Sequence, residues 1–246
     1  MTNQKNILVT GATRGMGKEI SKVLAKQGYH VILGARNIQD GQSLVEEIVS
    51  KGFSATTVQL DVTDVNSVQN AVLEISSLDI LINNAGIALE SSSPSKLDVA
   101  KVKKEFDVNV FGVMNVTSAM LPLLKNSKRA KIINMSSMMG SLNSALDKNS
   151  IVYGASVAGY QSSKAALNMY SIQLAKELEK EESDITVDLV DPGMVATEFG
   201  GLEPETAKKM GAKPVDEGIR RVIELVENDK ENKNITFTNN EGIVSW

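Results

Sequence analysis

The sequence predicts an α/β fold, a doubly wound parallel sheet of about seven strands in a single domain spanning residues 1–246. Three observations predict it. Short apolar runs alternate along the chain with segments whose apolar residues recur at helical spacing, the pattern of parallel strands joined by crossover helices. The first apolar run ends in a glycine-rich turn that opens a helix. No internal repeat, low-complexity tract or linker divides a chain long enough to bury one large core.

Ile7-Leu8-Val9 is the first strand, Thr10-Gly11-Ala12-Thr13-Arg14-Gly15-Met16-Gly17 the turn after it, and Lys18 to Lys26 the helix. This order puts backbone N–H groups and a helix amino end where a diphosphate can be held, because glycines let the backbone approach. Gly28 ends the helix, and Tyr29 to Leu33 is the second strand, closing a βαβ unit. In a dinucleotide site the next loop meets the adenosine ribose, where an acid suits a 2′-hydroxyl and an arginine suits a 2′-phosphate. Here it reads Gly34-Ala35-Arg36 with no acid until Asp40, and Arg14 adds a second cation. NADP is favoured over NAD, against the alternative that both arginines are solvated surface charges.

Ile38 to Ser50 carries Leu44, Val45, Ile48 and Val49 as a helical stripe, and Thr57 to Leu60 is the third strand. Asp61-Val62 at its end suits an adenine contact, although capping the helix from Val65 to Ile75 is an equally good use of the aspartate. Asp79 to Ile82 is the fourth strand, running into Asn83-Asn84-Ala85-Gly86, which can line a ligand or hold a turn. A polar loop, Ser91 to Ser95, precedes a helix from about Lys101 to Lys125 with Phe106, Val110, Val113, Met114 and Met120 inward. Asn109 lies among them and must find hydrogen-bond partners there. Lys131 to Met135 is the fifth strand, with Ser136-Ser137 at its carboxyl end, where open α/β sheets place their sites. The helix carrying Tyr160 runs to about Glu181 on a stripe of Leu167, Tyr170, Leu174 and Leu178. A strand from Ile185 to Val190 leading into Asp191-Pro192-Gly193, a helix from Val215 to Glu227 and a strand from Ile235 to Thr238 complete the count.

Composition narrows the function. Hydrophobic residues at 42% and charged residues at 23% are globular values, and a net charge of −4 provides no basic field for nucleic acid or an anionic membrane. Without cysteine there is no disulfide, zinc–thiolate site or thiol nucleophile, and His30, the single histidine, starts a strand far from any nucleophile-like turn. Proton chemistry falls to Tyr, Lys or carboxylates. The polar start, Met1 to Asn6, runs straight into the first strand, and no apolar run approaches the ~18 residues of a membrane span. The expected location is the cytoplasm, with neither membrane nor nucleic acid as partner.

Tyr160 and Lys164 stand four apart and share a helix face. At ~4 Å and an effective dielectric of ~20 an ammonium favours a phenolate by roughly 4 kcal/mol, up to about three pKa units. Such a tyrosine becomes a usable acid or base.

With these residues in hand the whole chain resembles the short-chain dehydrogenase/reductase family, Rossmann-type single-domain oxidoreductases with a serine-tyrosine-lysine site. The resemblance lies in Thr10-Gly11-x3-Gly15-x-Gly17, Asn83-Asn84-Ala85-Gly86, Asn109, Ser137 with Gly140, Tyr160-x3-Lys164, and Pro192-Gly193 with Thr197. Ala35-Arg36-Asn37, the stretch Asn83 to Ala88 and the final Trp246 are similar to carbonyl-reductase-like members, which use NADPH. The resemblance implies NADPH-dependent reduction of a ketone or aldehyde, reversibly. Tyr160 would protonate the carbonyl oxygen, Ser137 would hydrogen-bond it with Ser136 as runner-up, and Lys164 would lower the tyrosine pKa and hold the nicotinamide ribose. Asn109 would position a water that reconnects the relay to solvent. Gly11, Arg14, Gly15, Met16, Arg36, Asp61, Val62, Asn83, Ala85, Gly86, Pro192, Val195 and Thr197, with Tyr160 and Lys164, would contact the cofactor. The rival reading is a catalytically silent NADP-binding regulatory protein.

The chain departs from the plainest members between Ser137 and Tyr160, where Asn143 to Gly154 is extra sequence. Ala145, Leu146, Ile151, Val152 and Tyr153 are available to pack against the body. About two of them buried would hold the segment over the surface a partner subunit uses, and this favours a monomer over a dimer or tetramer.

Overall fold

Seven parallel strands and one short antiparallel strand make a single sheet in the computed structural model, which describes residues 4–228 and 235–246. The first half alternates β1 (Asn6–Thr10), α1 (Gly15–Lys26), β2 (His30–Ala35), α2 (Ile38–Val49), β3 (Ser54–Gln59), α3 (Val65–Glu74) and β4 (Ile80–Asn83). A broken helix follows: α4 (Val99–Phe106), a π-helical stretch (Asp107–Gly112) and α5 (Val113–Lys125). Then come β5 (Lys131–Met135), α6 (Leu142–Leu146), α7 (Ala158–Lys180), β6 (Thr186–Val190), α8 (Pro204–Lys209), α9 (Val215–Glu227), β7 (Ile235–Asn239) and β8 (Gly242–Ile243). The polar start Met1 to Asn3 lies outside the described residues.

Strand order is β3-β2-β1-β4-β5-β6-β7-β8. The chain order reverses between β1 and β4, and the turns after these two strands therefore open side by side at the carboxyl edge, where such sheets bind ligands. Two apolar layers sandwich the sheet: Ile7, Val9, Ile20, Leu24 and Val222 on one face, and Leu8, Leu81, Val116, Met120 and Leu174 on the other. Strands buried on both faces are mostly apolar, which is why the middle of β4 reads Ile-Leu-Ile and that of β1 Ile-Leu-Val. Asn37, Asp64 and Asp98 cap α2, α3 and α4 by accepting from backbone amides at 2.9–3.0 Å, each worth about 1 kcal/mol.

The structure corrects several expectations. β8 adds an eighth strand, a two-residue return paired antiparallel to β7. α1 starts at Gly15, three residues before Lys18, so the glycine turn supplies the helix's first turn. β3 begins at Ser54, because its amides pair with β2 from His30 onward. The helix expected from Lys101 begins at Val99 and is interrupted by the π-helical stretch. Within Val99–Lys125 an 18-residue stretch reaches a mean hydropathy of 1.3, the length and apolarity of a membrane span, contrary to the expectation that no run approaches one. In the fold its face is spent on the apolar layer of Val116, Met120 and Leu124.

The segment Asn143 to Gly154 does not pack as expected. α6 and the turns after it bury Val152 alone among the large side chains; Leu146 is 81% and Ile151 84% exposed, and Tyr153 is half exposed. Its anchor is polar: the Asn143 amide donates to the Trp246 carbonyl at 3.0 Å, and the Trp246 ring rests on Phe237. With Val152 its one large buried side chain, the segment lacks the packing that would hold it over a subunit interface.

Candidate active site

The turns after β1 and β4 are stapled together. Thr10 Oγ1 accepts from the amides of Asn84 and Ala85, both at 3.0 Å, while Asn84 Nδ2 donates to the carbonyls of Thr10 (2.9 Å) and Gly11 (3.2 Å). Gly11 has φ +62°, and a Cβ at Gly17 would stand 2.3 Å from the Gly11 carbonyl oxygen, so the turn closes only with glycine. Gly15, at φ +52°, starts α1 and faces the Thr197 methyl across the cleft. Arg14, the residue before α1, gives no side-chain cap, and the first turn holds no acid. The orphan N–H groups and the dipole of α1 are thus open to an anion. Arg14 and Arg36 are exposed at the ends of the neighbouring strands β1 and β2. This donor set of open amides and two guanidiniums fits a dinucleotide with a further phosphate.

Three expected cofactor contacts have other work for their side chains. Asp61 Oδ1 accepts from the Thr63 amide and hydroxyl, while Asp64 caps α3, so the aspartate holds its own loop. Asn83 is buried and donates to Thr117 Oγ1 (3.1 Å) and Asn134 Oδ1 (2.8 Å). Val195 packs on Gly218 of α9. Only exposed edges or backbone of these three remain for a ligand. Val62 is buried against Gly112 of the π-helical stretch.

The second cluster lies at the end of β5. Ser137 stands close enough to Tyr160 to act on its phenol, and Lys164 Nζ lies 5.6 Å from the centre of the Tyr160 ring. Ser136 turns away and donates to Asn168 Oδ1 on α7. A Cβ at Gly140 would stand 2.6 Å from the Lys164 carbonyl carbon, so the turn after Ser137 presses directly on α7. Lys164 Nζ donates to the Met135 carbonyl at 2.7 Å. Burial lowers its pKa from 10.5 to about 8.

The Tyr160 phenol is pushed above its ordinary value although its ring keeps partial contact with solvent. Burial is the main cause; Asp191 and Glu105 add to it, and the nearby Ser137 hydroxyl opposes it. This corrects the expectation that Lys164 lowers it. The lysine is itself desolvated and donates a hydrogen bond to the Met135 carbonyl, which weakens its hold on the phenol. The Phe199 ring meets Tyr160 edge to face, centroids 5.7 Å apart.

Asn109 sits in the π-helical stretch, whose wider turn re-aims it toward the loop after β4. Its Oδ1 accepts from the Ile87 amide (2.9 Å), and its Nδ2 donates to the Ile87 carbonyl (2.8 Å) and Ser163 Oγ (3.0 Å). Ser163 in turn donates to the Tyr160 carbonyl at 2.7 Å. Asn109 Oδ1 and Lys164 Nζ flank the point where a Gly86 Cβ would be, at 3.4 and 3.8 Å. Gly86 thus keeps open the space between them.

The short chain dehydrogenase family model matches residues 5–208, most of the chain. The chain belongs to that family. Among curated relatives, a short-chain dehydrogenase, anuI, of Penicillium roqueforti is 36% identical over 85% of this chain and 86% of its own. The NADP-dependent 3-hydroxy acid dehydrogenase of Schizosaccharomyces pombe is 34% identical over 79% of this chain and 73% of its own. Among solved structures, NADPH-bound carbonyl reductase from chicken fatty liver has a TM-score of 0.82 at 27% identity, covering 99% of this chain and all of that one. An alcohol dehydrogenase from the archaeon Thermococcus sibiricus, complexed with 5-hydroxy-NADP, has a TM-score of 0.81 at 25% identity over 96% of both chains.

In this short-chain dehydrogenase the residues read from sequence fall into two groups, the glycine cradle and the Ser137–Tyr160–Lys164 cluster, at neighbouring strand ends. The ties between them were missed. Asn134 and Ser171 link β5 to α7 at 2.9 Å, and Asn134 is joined to β4 through Asn83. Ser163 and Gly140 fix the helix that carries Tyr160. Small polar residues on a helix give no periodic signal of their own, and only the pairing of strands brings them together.

Proposed function

We propose that the protein is an NADPH-dependent carbonyl reductase, converting a ketone or aldehyde to the alcohol and reversing the step with excess alcohol. One observation carries the reading: Tyr160 stands beside Ser137 at the end of β5 with Lys164 Nζ 5.6 Å from its ring, in a buried setting that favours the protonated phenol. An acid kept protonated at neutral pH can give its proton to a carbonyl oxygen as the carbon is reduced. When bound, NADPH supplies the hydride to that carbon. Ser137 orients the same oxygen, and Lys164, tethered to Met135, stands ready to replenish the phenol. Asn109, beside Lys164 across Gly86, continues the proton path away from the site.

The cofactor is NADP(H), held by the Gly11–Gly17 turn and the open end of α1, with Arg14 and Arg36 on the 2′-phosphate. The fit of these groups, together with NADP bound to the similar structures, supports it. Ala85 borders Gly11 and Thr197 borders Gly15, and Gly86, Pro192 and Met16, in the first turn of α1, would complete the cofactor contacts. The substrate is a small molecule, and the absence of cysteine suits a cytoplasmic enzyme. The test is NADPH consumption, followed by absorbance, with a panel of ketones and aldehydes. Consumption that requires the carbonyl supports the reading; binding of NADPH without consumption by any member refutes it and leaves the silent regulatory protein.

A further inference from the structure

Among the described residues one buried side-chain polar atom has no hydrogen-bond partner, Oε2 of Glu105. Glu105 stands in the last turn of α4 and is fully buried. Its other oxygen accepts from the amides of Leu89 (2.6 Å) and Glu90 (3.1 Å). Glu90, also buried, accepts from the amides of Ser92 and Asp98, so two carboxylates in series hold the loop from Leu89 to Asp98. A buried carboxylate oxygen without a donor is strongly unfavourable unless something offsets it.

Oε2 points at α7. A Cβ at Gly159, the residue before Tyr160, would stand 2.2 Å from it, so the helix admits this oxygen only where it has no side chain. The first turn of α7 has no side-chain cap at Val157 and no acidic residue of its own. Its peptide dipoles present their positive end there, and the carboxylate delivered from α4 is the anion that meets it.

We propose that Glu105 is a positioning residue for Tyr160: seated against Gly159, it fixes the first turn of α7 on α4 and keeps a negative charge near the phenol. This rests on the reading of Tyr160 as the proton donor. The groups that act on the phenol are Glu105 from α4, Asp191 after β6 and Ser137 after β5, with Lys164 of α7 beside the ring. The two carboxylates act in the same direction, holding the proton on the phenol.

Glu105→Gln decides the matter, because it keeps the shape and the oxygen that accepts from Leu89 and Glu90 but removes the charge. Tyrosine labelled with carbon-13 at the ring carbon bearing oxygen reports the ionisation of each phenol directly, and Tyr160→Phe assigns the resonance. The expected result is that the Tyr160 phenol of Glu105→Gln ionises about half a pH unit or more below wild type, while hydrogen exchange at the Leu89 and Glu90 amides is unchanged. In turnover, the alkaline limb of kcat/KM moves the same way with the KM for NADPH within about twofold. Glu105→Ala should also lose the amide protection; should it fail to fold, the Gln variant still answers. Identical Tyr160 curves in wild type and Glu105→Gln, whether flat or titrating, overturn the proposal. Because the resonance is read without turnover, a shifted curve in a protein that reduces no carbonyl would sustain the positioning role and sink the reductase reading instead.

Discussion

Replacing Lys164 by methionine should change how stability depends on pH, with a sign and size set by burial. Lys164 is 4% exposed, and its pKa falls from 10.5 to about 8 because the ammonium loses its water. At about 1.4 kcal/mol per unit, the folded protein forfeits about 3 kcal/mol by holding that charge below pH 8. Between pH 8 and 10.5 the unfolded chain still binds the proton that the folded chain has released, so stability rises with pH across that window. Tyr160 acts in the opposite sense and later. Its folded pKa lies above 10.0, so its contribution is whole below that pH and is lost only as pH rises further. The clean interval is therefore pH 8 to 10. Urea unfolding without cofactor, which would otherwise add its own binding energy, should show wild type gaining about 2–3 kcal/mol on Lys164→Met across it. Parallel pH profiles for the two proteins would show that the lysine keeps its solvent and that its tether to Met135 is not what this site is built on.

Tyr160→Phe keeps the ring against Phe199 but removes the proton, so kcat should fall about 10²–10⁴-fold with NADPH binding retained; a loss under tenfold ends its assignment as acid. Arg14→Ala combined with Arg36→Ala should raise the KM for NADPH far more than that for NADH, since charged hydrogen bonds are worth ~1.5–3 kcal/mol. A wild-type preference for NADH refutes the argument from charge. Gly140→Ala would drive a Cβ to 2.6 Å from the Lys164 backbone; overpacking there should cost about 1–3 kcal/mol and lower kcat without changing the KM for NADPH much, as thermal unfolding and initial rates will show.

The strands were legible because a parallel strand buried on both faces is mostly apolar, and the short apolar runs in β1, β4, β5 and β6 admit few alternatives even where a buried Asn134 or Asp188 interrupts them. α9 matches its expected bounds because its apolar face, Ile219, Val222, Leu225 and Val226, is undiluted. β3 was cut short at Thr57 because Ser54-Ala55-Thr56, on the edge strand, alternate too weakly to be seen. The π-helical stretch left no trace for a related reason. Val108, Val110 and Val113 are so closely spaced that an extra residue in one turn does not disturb the apparent stripe. α6 carries Leu142 and Leu146 on its exposed side, so nothing in its pattern marks a helix.

Within the site, what the sequence shows is chemistry that acts through its own side chain at a fixed offset. Tyr160 and Lys164 share a helix face, and Ser137 follows a strand; both facts survive without knowing the neighbours. Glu105 has no such offset. It follows Lys101, Lys103 and Lys104 in a run that reads as a solvated face, and those lysines are indeed exposed while Glu105 is not. The difference comes from α7, which lies across that turn and offers a residue without a side chain, Gly159, at the point of contact. A charge in such a run is buried or solvated according to one glycine on another helix. The groups that set the behaviour of Tyr160 are therefore visible only once the sheet has placed α4 against α7, whereas the group that reacts is visible in the chain alone.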